Sequence, residues 1–266
     1  MDFSDEFATI PTRYAFDDDS DQEDIDQAVD KLDLETFKVD FNNFDTASIN
    51  TVIFGVYGPG DVFLRAVYEG QSVVGTIYAK TKLLASMHTS PSAGNVISVV
   101  SEDVLPEDAI NGFAHAMLSK LPNANLRVIV LDSYYESGYI ASDLSEQYTE
   151  PTLKCLRTSV EKKASQSPTS IDSLPAPNLS KGIAAAILTY CEIHQLPGLA
   201  LFSPQPASLG KNLITEATID YYEEALGKIG VDHLRSDQEK VRRAIQSRKY
   251  GKDSGKIDAD HHRMYI

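Results

Sequence analysis

The last three residues, Met264-Tyr265-Ile266, carry the most specific chemistry in this 266-residue chain. The terminal carboxylate on Ile266 is an anion that a pocket lysine can pair with. Tyr265 offers a flat apolar face and a hydroxyl that needs a partner once buried. Met264 is unbranched and adaptable, suited to a shallow apolar groove. Capture of a C-terminal carboxylate by a preformed pocket is a recurring mode of recognition. These residue types in this order point to docking rather than to catalysis.

Other residues invite an enzymatic reading. Asp132-Ser133 follows the apolar run 126–131, and the carboxyl end of a strand is where open α/β sheets place chemistry. No G-x-S-x-G elbow accompanies it, and no histidine is an evident partner. Gly55-Val56-Tyr57-Gly58-Pro59-Gly60 lacks both G-x-G-x-x-G and a Lys-Ser/Thr pair, so it reads as a turn rather than a phosphate cradle. His88, His115, His194 and His233 are scattered and read as core or surface histidines. Asp260-His261-His262 could touch a transition metal, but a stable site needs a closed ligand set. Cys155 and Cys191, each in an apolar and helix-like stretch, have no metal-type spacing and read as buried thiols. Neither a disulfide scaffold nor a cofactor is expected.

Composition narrows the classes further. The chain is 42% hydrophobic, enough for a real core, and its formal charge is −15. That charge is uneven: residues 1–30 hold eleven acids and one base, whereas residues 235–263 hold nine Lys/Arg against five acids. A body this close to neutral lacks the basic surface that nucleic acid demands. No apolar run reaches membrane-spanning length, and the acidic start is unlike a secretory signal. The expectation is a cytoplasmic protein, with the nucleus also open to it.

Three regions follow from patterning. Residues 1–48 read as an acidic, largely disordered leader, because 17–21 repels itself and buries nothing. Residues 49–250 read as a single α/β domain with a mixed, largely buried sheet flanked by helices. Residues 251–266 read as a flexible tail, loosened by Gly251, Ser254 and Gly255. Within the domain, runs 51–57, 62–68, 72–78, 95–101, 126–131 and 198–202 are expected as strands. Helices are expected from Pro106, where proline and acids suit a first turn, and over 151–157, 182–194, 214–226 and 236–249. Pro204 is expected to close the last strand, and 165–173 to be a surface loop. Strand 126–131, helix 182–194 and strand 198–202 suggest parallel pairing across a helical crossover.

The stretch from Leu126 to Leu226 resembles the first-type subunit of the heterodimeric proteasome assembly chaperone. The resemblance is carried by Val128-Ile129-Val130-Leu131, by Pro151-Thr152-Leu153-Lys154-Cys155-Leu156-Arg157-Thr158, and by Ala184-Ala185-Ala186-Ile187-Leu188-Thr189-Tyr190-Cys191 running into Leu196-Pro197-Gly198-Leu199-Ala200-Leu201. Leu213-Ile214-Thr215-Glu216-Ala217 and the terminal Met264-Tyr265-Ile266 complete it. It implies a non-catalytic chaperone that pairs with a second, similarly folded subunit and caps the alpha ring of the proteasome core particle. Ile266 would then give its carboxylate to a pocket lysine, Tyr265 would pack between two alpha subunits, and Met264 would be the apolar anchor. Two other readings stay open: a small α/β enzyme acting near Asp132, and a proteasome activator or adaptor using the same tail on mature particles.

Overall fold

A computed structural model describes residues 37–42, 44–90, 93–122, 125–141, 150–164, 171–208 and 211–249. In chain order the strands are β1 (Phe37–Phe41), β2 (Thr51–Gly55), β3 (Gly75–Ala79), β4 (Lys82–Ser90), β5 (Ala93–Ser101), β6 (Arg127–Tyr135), β7 (Lys154–Arg157), β8 (Asp172–Ser173) and β9 (Gly198–Gln205). A small hairpin, β10 (Ala207–Ser208) and β11 (Lys211–Asn212), follows. The helices are α1 (Pro59–Val67), α2 (Ile110–Leu118), α3 (Ser159–Ala164), α4 (Gly182–Ile193), α5 (Glu216–Lys228) and α6 (Gln238–Lys249).

Among the described residues, nine strands form one mixed sheet in the order β1-β3-β4-β5-β2-β6-β9-β7-β8. Its centre, β5-β2-β6-β9, is parallel, and β4, β3 and β1 extend it as an antiparallel ribbon. Central strands read as unbroken apolar runs because both of their faces are covered. Val52, Val128, Val130 and Ala200 point to the layer holding α2 and α4, and Ile53, Ile129, Leu131 and Leu199 to the layer of α1, α5 and α6. The expected α/β architecture, with its mixed and buried sheet, is the one observed. So is the parallel β6–β9 pair reached through helix α4.

Several local expectations are corrected. The described elements begin at β1, inside the stretch 1–48 expected to be leader: Phe37, Val39 and Phe41 turn toward the α2–α4 layer while Lys38 and Asp40 stay exposed. Residues 1–36 lie outside the described set. The run 62–68, expected as a strand, belongs mainly to helix α1. Pro59 starts that helix, Asp61 accepts the Gly58 N–H at 2.7 Å and pairs one turn on with Arg65 at 3.0 Å. Val62, Phe63 and Leu64 are all fully buried, so the local run imitates a buried strand, although Asp61 and Arg65, one turn apart, mark a helical polar stripe.

The segment 151–157, expected as a helix, contributes strand β7 beside β9. Cys155 faces one layer and Leu156 the other, which is the alternation of a strand. Cys155 therefore sits in a strand rather than a helix, although both cysteines are buried thiols. Strand β9 continues through Pro204 to Gln205. Pro204 lies past the last β7–β9 pair, Lys154–Phe202, where the strand is edge-like and proline is tolerated. Asp172 and Ser173, expected in a loop, pair with β7. Strand β4 and helix α3 fall where the sequence prompted no assignment.

Candidate functional site

The carboxyl ends of β2 and β6 meet beside the first turn of α1. Val56 N–H donates to Leu131 O at 3.0 Å. Gly60 sits so close that a Cβ there would lie 2.1 Å from Leu131 O, so only glycine fits. Asp61 is fully buried and uses its own carboxylate to accept the Gly58 N–H. The helix start is thus occupied by a side chain of the same helix, and Pro59 contributes no N–H. The glycine-rich stretch is a packing turn here, not a cradle for phosphate.

Asp132 and Ser133 lie within β6 rather than after it. Asp132 Oδ1 accepts the Ser133 N–H at 2.8 Å, and the Asp132 carbonyl accepts the hydroxyl of Tyr222 from α5. Burial pushes the Asp132 carboxyl up to about 7, with the Ser133 N–H opposing the shift. Ser133 Oγ donates to Gln205 Oε1 at 3.1 Å. That proton goes to an amide oxygen, not to a base. Among the described residues no histidine is hydrogen-bonded to either side chain. His115 and His194 instead flank the Tyr190 ring, at 5.9 and 4.0 Å between centroids. The pair has a raised carboxyl but no activated nucleophile. An open groove of about 580 Å³ lies elsewhere among the described residues, lined by Asp220, Glu223, Glu224 and Asp232 among others.

The same end of the sheet exposes apolar side chains. Tyr135 closes β6, and Asn178 holds Ile140 through both backbone groups, at 2.9 and 2.7 Å, so that Ile140 and the 78%-exposed Leu179 are neighbours.

Met264, Tyr265 and Ile266 lie outside the described residues, as does Asp260-His261-His262. The last described element, α6, is the base from which they continue. Val241, Ala244 and Ile245, one stripe of a helix, are buried in the layer that α6 shares with α1. Each large apolar side chain so buried contributes about 1.5–3 kcal/mol. Arg242 grips Glu216 through two bonds, 2.8 and 3.2 Å, and Arg243 meets Glu69 at 3.0 Å. Both pairs are exposed, so they orient the helix more than they stabilise it. Asp237 opens it by accepting the Glu239 N–H at 2.8 Å. The sequence reading named the tail but missed the charged groups that pack around α1, Arg65 and Glu102 foremost, and it left His88 among scattered histidines. Their partners stand too far along the chain for any local pattern to reveal them. Among the described residues no helix is long and apolar enough to cross a membrane, and no group of three or more His, Cys, Asp or Glu could hold a metal ion.

A family model, PAC1, described as "Proteasome assembly chaperone 4", matches residues 77–253. The chain is 28% identical over 142 residues to "Proteasome assembly chaperone 1" of Xenopus tropicalis, covering 53% of this chain and 47% of that protein. The chain thus spans about half the length of the curated relatives it matches. Among solved structures it resembles Pyrococcus furiosus PbaA, an archaeal homolog of proteasome-assembly chaperone, with a TM-score of 0.57 at 15% identity over 79% of this chain and 88% of that one. It also resembles P. furiosus PbaB, an archaeal proteasome activator, with a TM-score of 0.54 at 12% identity over 80% and 96%. At these identities the structural likeness shows the fold alone.

Proposed function

We propose, proceeding from the fact that this chain belongs to the proteasome assembly chaperone family, that it is a non-catalytic binding subunit in assembly of the proteasome core particle. It pairs with a second, similarly folded chaperone subunit, and the pair caps the alpha ring. The C-terminal tail enters a pocket between alpha subunits: Ile266 supplies the carboxylate to a lysine, Tyr265 packs in the gap, and Met264 anchors on apolar surface. The observation that carries this reading is the co-occurrence of the family match over residues 77–253 with a terminal Met-Tyr-Ile.

The seating of α6 supports it. Seventeen residues follow Lys249, Ile266 the last of them, a reach of at most about 55–60 Å. A body resting on the ring can therefore serve pockets some distance from its footprint. A three-residue plug is weak alone, and tethering to a docked body raises its effective concentration. Tyr135, Ile140 and Leu179 offer apolar contact area for the body. The commitment of Ser133 to Gln205 and of Asp61 to its own helix weighs against the enzyme reading. The site of action is the cytoplasm, with the nucleus open to it.

A second reading, an activator or adaptor on mature particles, draws on the likeness to PbaB. Affinity capture from cell extract with the full chain, followed by identification of the co-purifying subunits, separates them. Alpha subunits in particles lacking a complete set of beta subunits are the expected catch. Preferential capture of mature particles would favour the activator reading. Absence of alpha subunits, even with a candidate second chaperone subunit added, would overturn both.

A further inference from the structure

The two ends of the sheet differ. β8 is two residues long, whereas β1 runs for five, and among the described residues no strand pairs with its outer side. The β1–β3 register is unbroken from Phe37–Ala79 to Phe41–Gly75. Asn42, next in line, donates its N–H to Val74 O at 2.9 Å. A Cβ on Gly75 would lie 2.7 Å from Asp40 O, so that carbonyl also faces β3. Backbone groups alternate in direction along an antiparallel strand. Lys38 and Asp40 therefore turn their N–H and C=O groups toward β3, and Phe37, Val39 and Phe41 turn theirs outward. Such a row of outward groups is a template for another strand. Phe37 is anchored from one face by Phe113 of α2, ring centroids 6.2 Å apart and edge-on. Phe37, Val39 and Phe41 are nonetheless only half-buried.

The residues of β1 read alike in both directions: Phe37, a charge, Val39, the opposite charge, Phe41. A second copy of β1 can lie antiparallel beside the first, with a two-fold axis at Val39. Phe37 then stands opposite Phe41 of the second copy, Lys38 opposite its Asp40, and Val39 opposite its Val39. Aromatic pairs and opposite-charge pairs of this kind stabilise a sheet. Phe37, Val39 and Phe41 are also the residues that bond across the axis in this register, which gives about six backbone hydrogen bonds. Sliding one copy by two residues sets Lys38 against Lys38 or Asp40 against Asp40. A parallel, in-register arrangement sets both like pairs together. The charges thus select one register. Lys38 and Asp40 already lie 3.6 Å apart on the exposed face, so the axis gathers two charges of each sign.

We propose that the β1 edge is a self-association surface, on which a second copy of this chain joins two nine-stranded sheets into one. The contact is isologous and closes after two copies, because each β1 has one free edge to give. It uses neither the tail nor the strand end near Tyr135, so it stands independently of the role in proteasome assembly.

Sedimentation equilibrium of the full chain from about 1 to 100 μM, with residue-resolved amide exchange over the same series, tests this. A reversible monomer–dimer equilibrium is expected. The amides of Phe37, Val39 and Phe41 gain protection as concentration rises, while those of Lys38 and Asp40 are protected throughout. Lys38→Asp sets carboxylates against each other on both sides of the axis and should weaken association about tenfold. Exchanging the charges, Lys38→Asp with Asp40→Lys, should restore it. Val39→Pro removes an N–H that faces the edge, where proline is tolerated, and should leave a folded monomer. A monomer of the unmodified chain at every concentration would overturn the proposal. So would a dimer whose edge amides stay open, or one that Lys38→Asp leaves unchanged. The series on the unmodified chain decides the matter even if a variant does not fold.

Discussion

The raised carboxyl of Asp132 ties the stability of the fold to pH. Its pKa is raised, so the folded state holds a proton that the unfolded chain has already released between about pH 4 and pH 7. Over that window the unfolded state binds fewer protons, and stability falls as pH rises. The residue is not wholly enclosed, so the cost at pH 8 is about 1–3 kcal/mol. Asp132→Asn should be more stable than the parent at pH 8 and nearly equal at pH 4, read from urea midpoints. A loss of stability at pH 8 would show that the ionised carboxylate is doing favourable work. Gly60 sits at the opposite extreme of tolerance. Gly60→Ala pushes a methyl against the Leu131 carbonyl, with its Cβ only 2.1 Å away, and should cost about 3 kcal/mol. Gly227→Ala, where a Cβ meets nothing within 4 Å, should be neutral or slightly stabilising by the same assay.

Helix α6 is held by its apolar stripe and aimed by its ion pairs. Ile245→Ala should destabilise by about 2–4 kcal/mol, whereas Arg242→Ala, which removes an exposed pair with Glu216, should cost less than about 1 kcal/mol. Thermal denaturation of the two variants checks this, and the reverse ranking would mean the charges seat the helix. Legibility in the sequence followed the same physics. Strands β2, β6 and β9 were readable because both of their faces are covered, and helix α4 because its small and aliphatic residues pack against β6 and β9. Helix α1 was not, since the consecutive buried residues Val62, Phe63 and Leu64 imitate a buried strand and its polar stripe is only the pair Asp61 and Arg65. Strand β7 was hidden behind Pro151-Thr152, which resembles a helix start, and became a strand because β9 offered an open edge. The pairing of Arg65 with Glu102 was not legible, because the two stand 37 positions apart and only the fold joins them.

At the scale of the whole molecule, the described residues form a mixed nine-stranded sheet packed between two helical layers, and α6 is the last of their elements. The proposed role divides the labour: the body sets where the chain rests, and Met264-Tyr265-Ile266 sets how long it stays. Removing the tail should then act mainly on dissociation, since most affinity differences within one interface lie in the off-rate. The direct measurement is surface-based binding of purified alpha-ring assemblies to the full chain with its second chaperone subunit, beside the same complex lacking Met264-Tyr265-Ile266. The account predicts that both bind and that truncation speeds dissociation at least about tenfold, roughly 1.4 kcal/mol of lost anchoring. Identical dissociation rates would contradict it and assign the binding to the body alone.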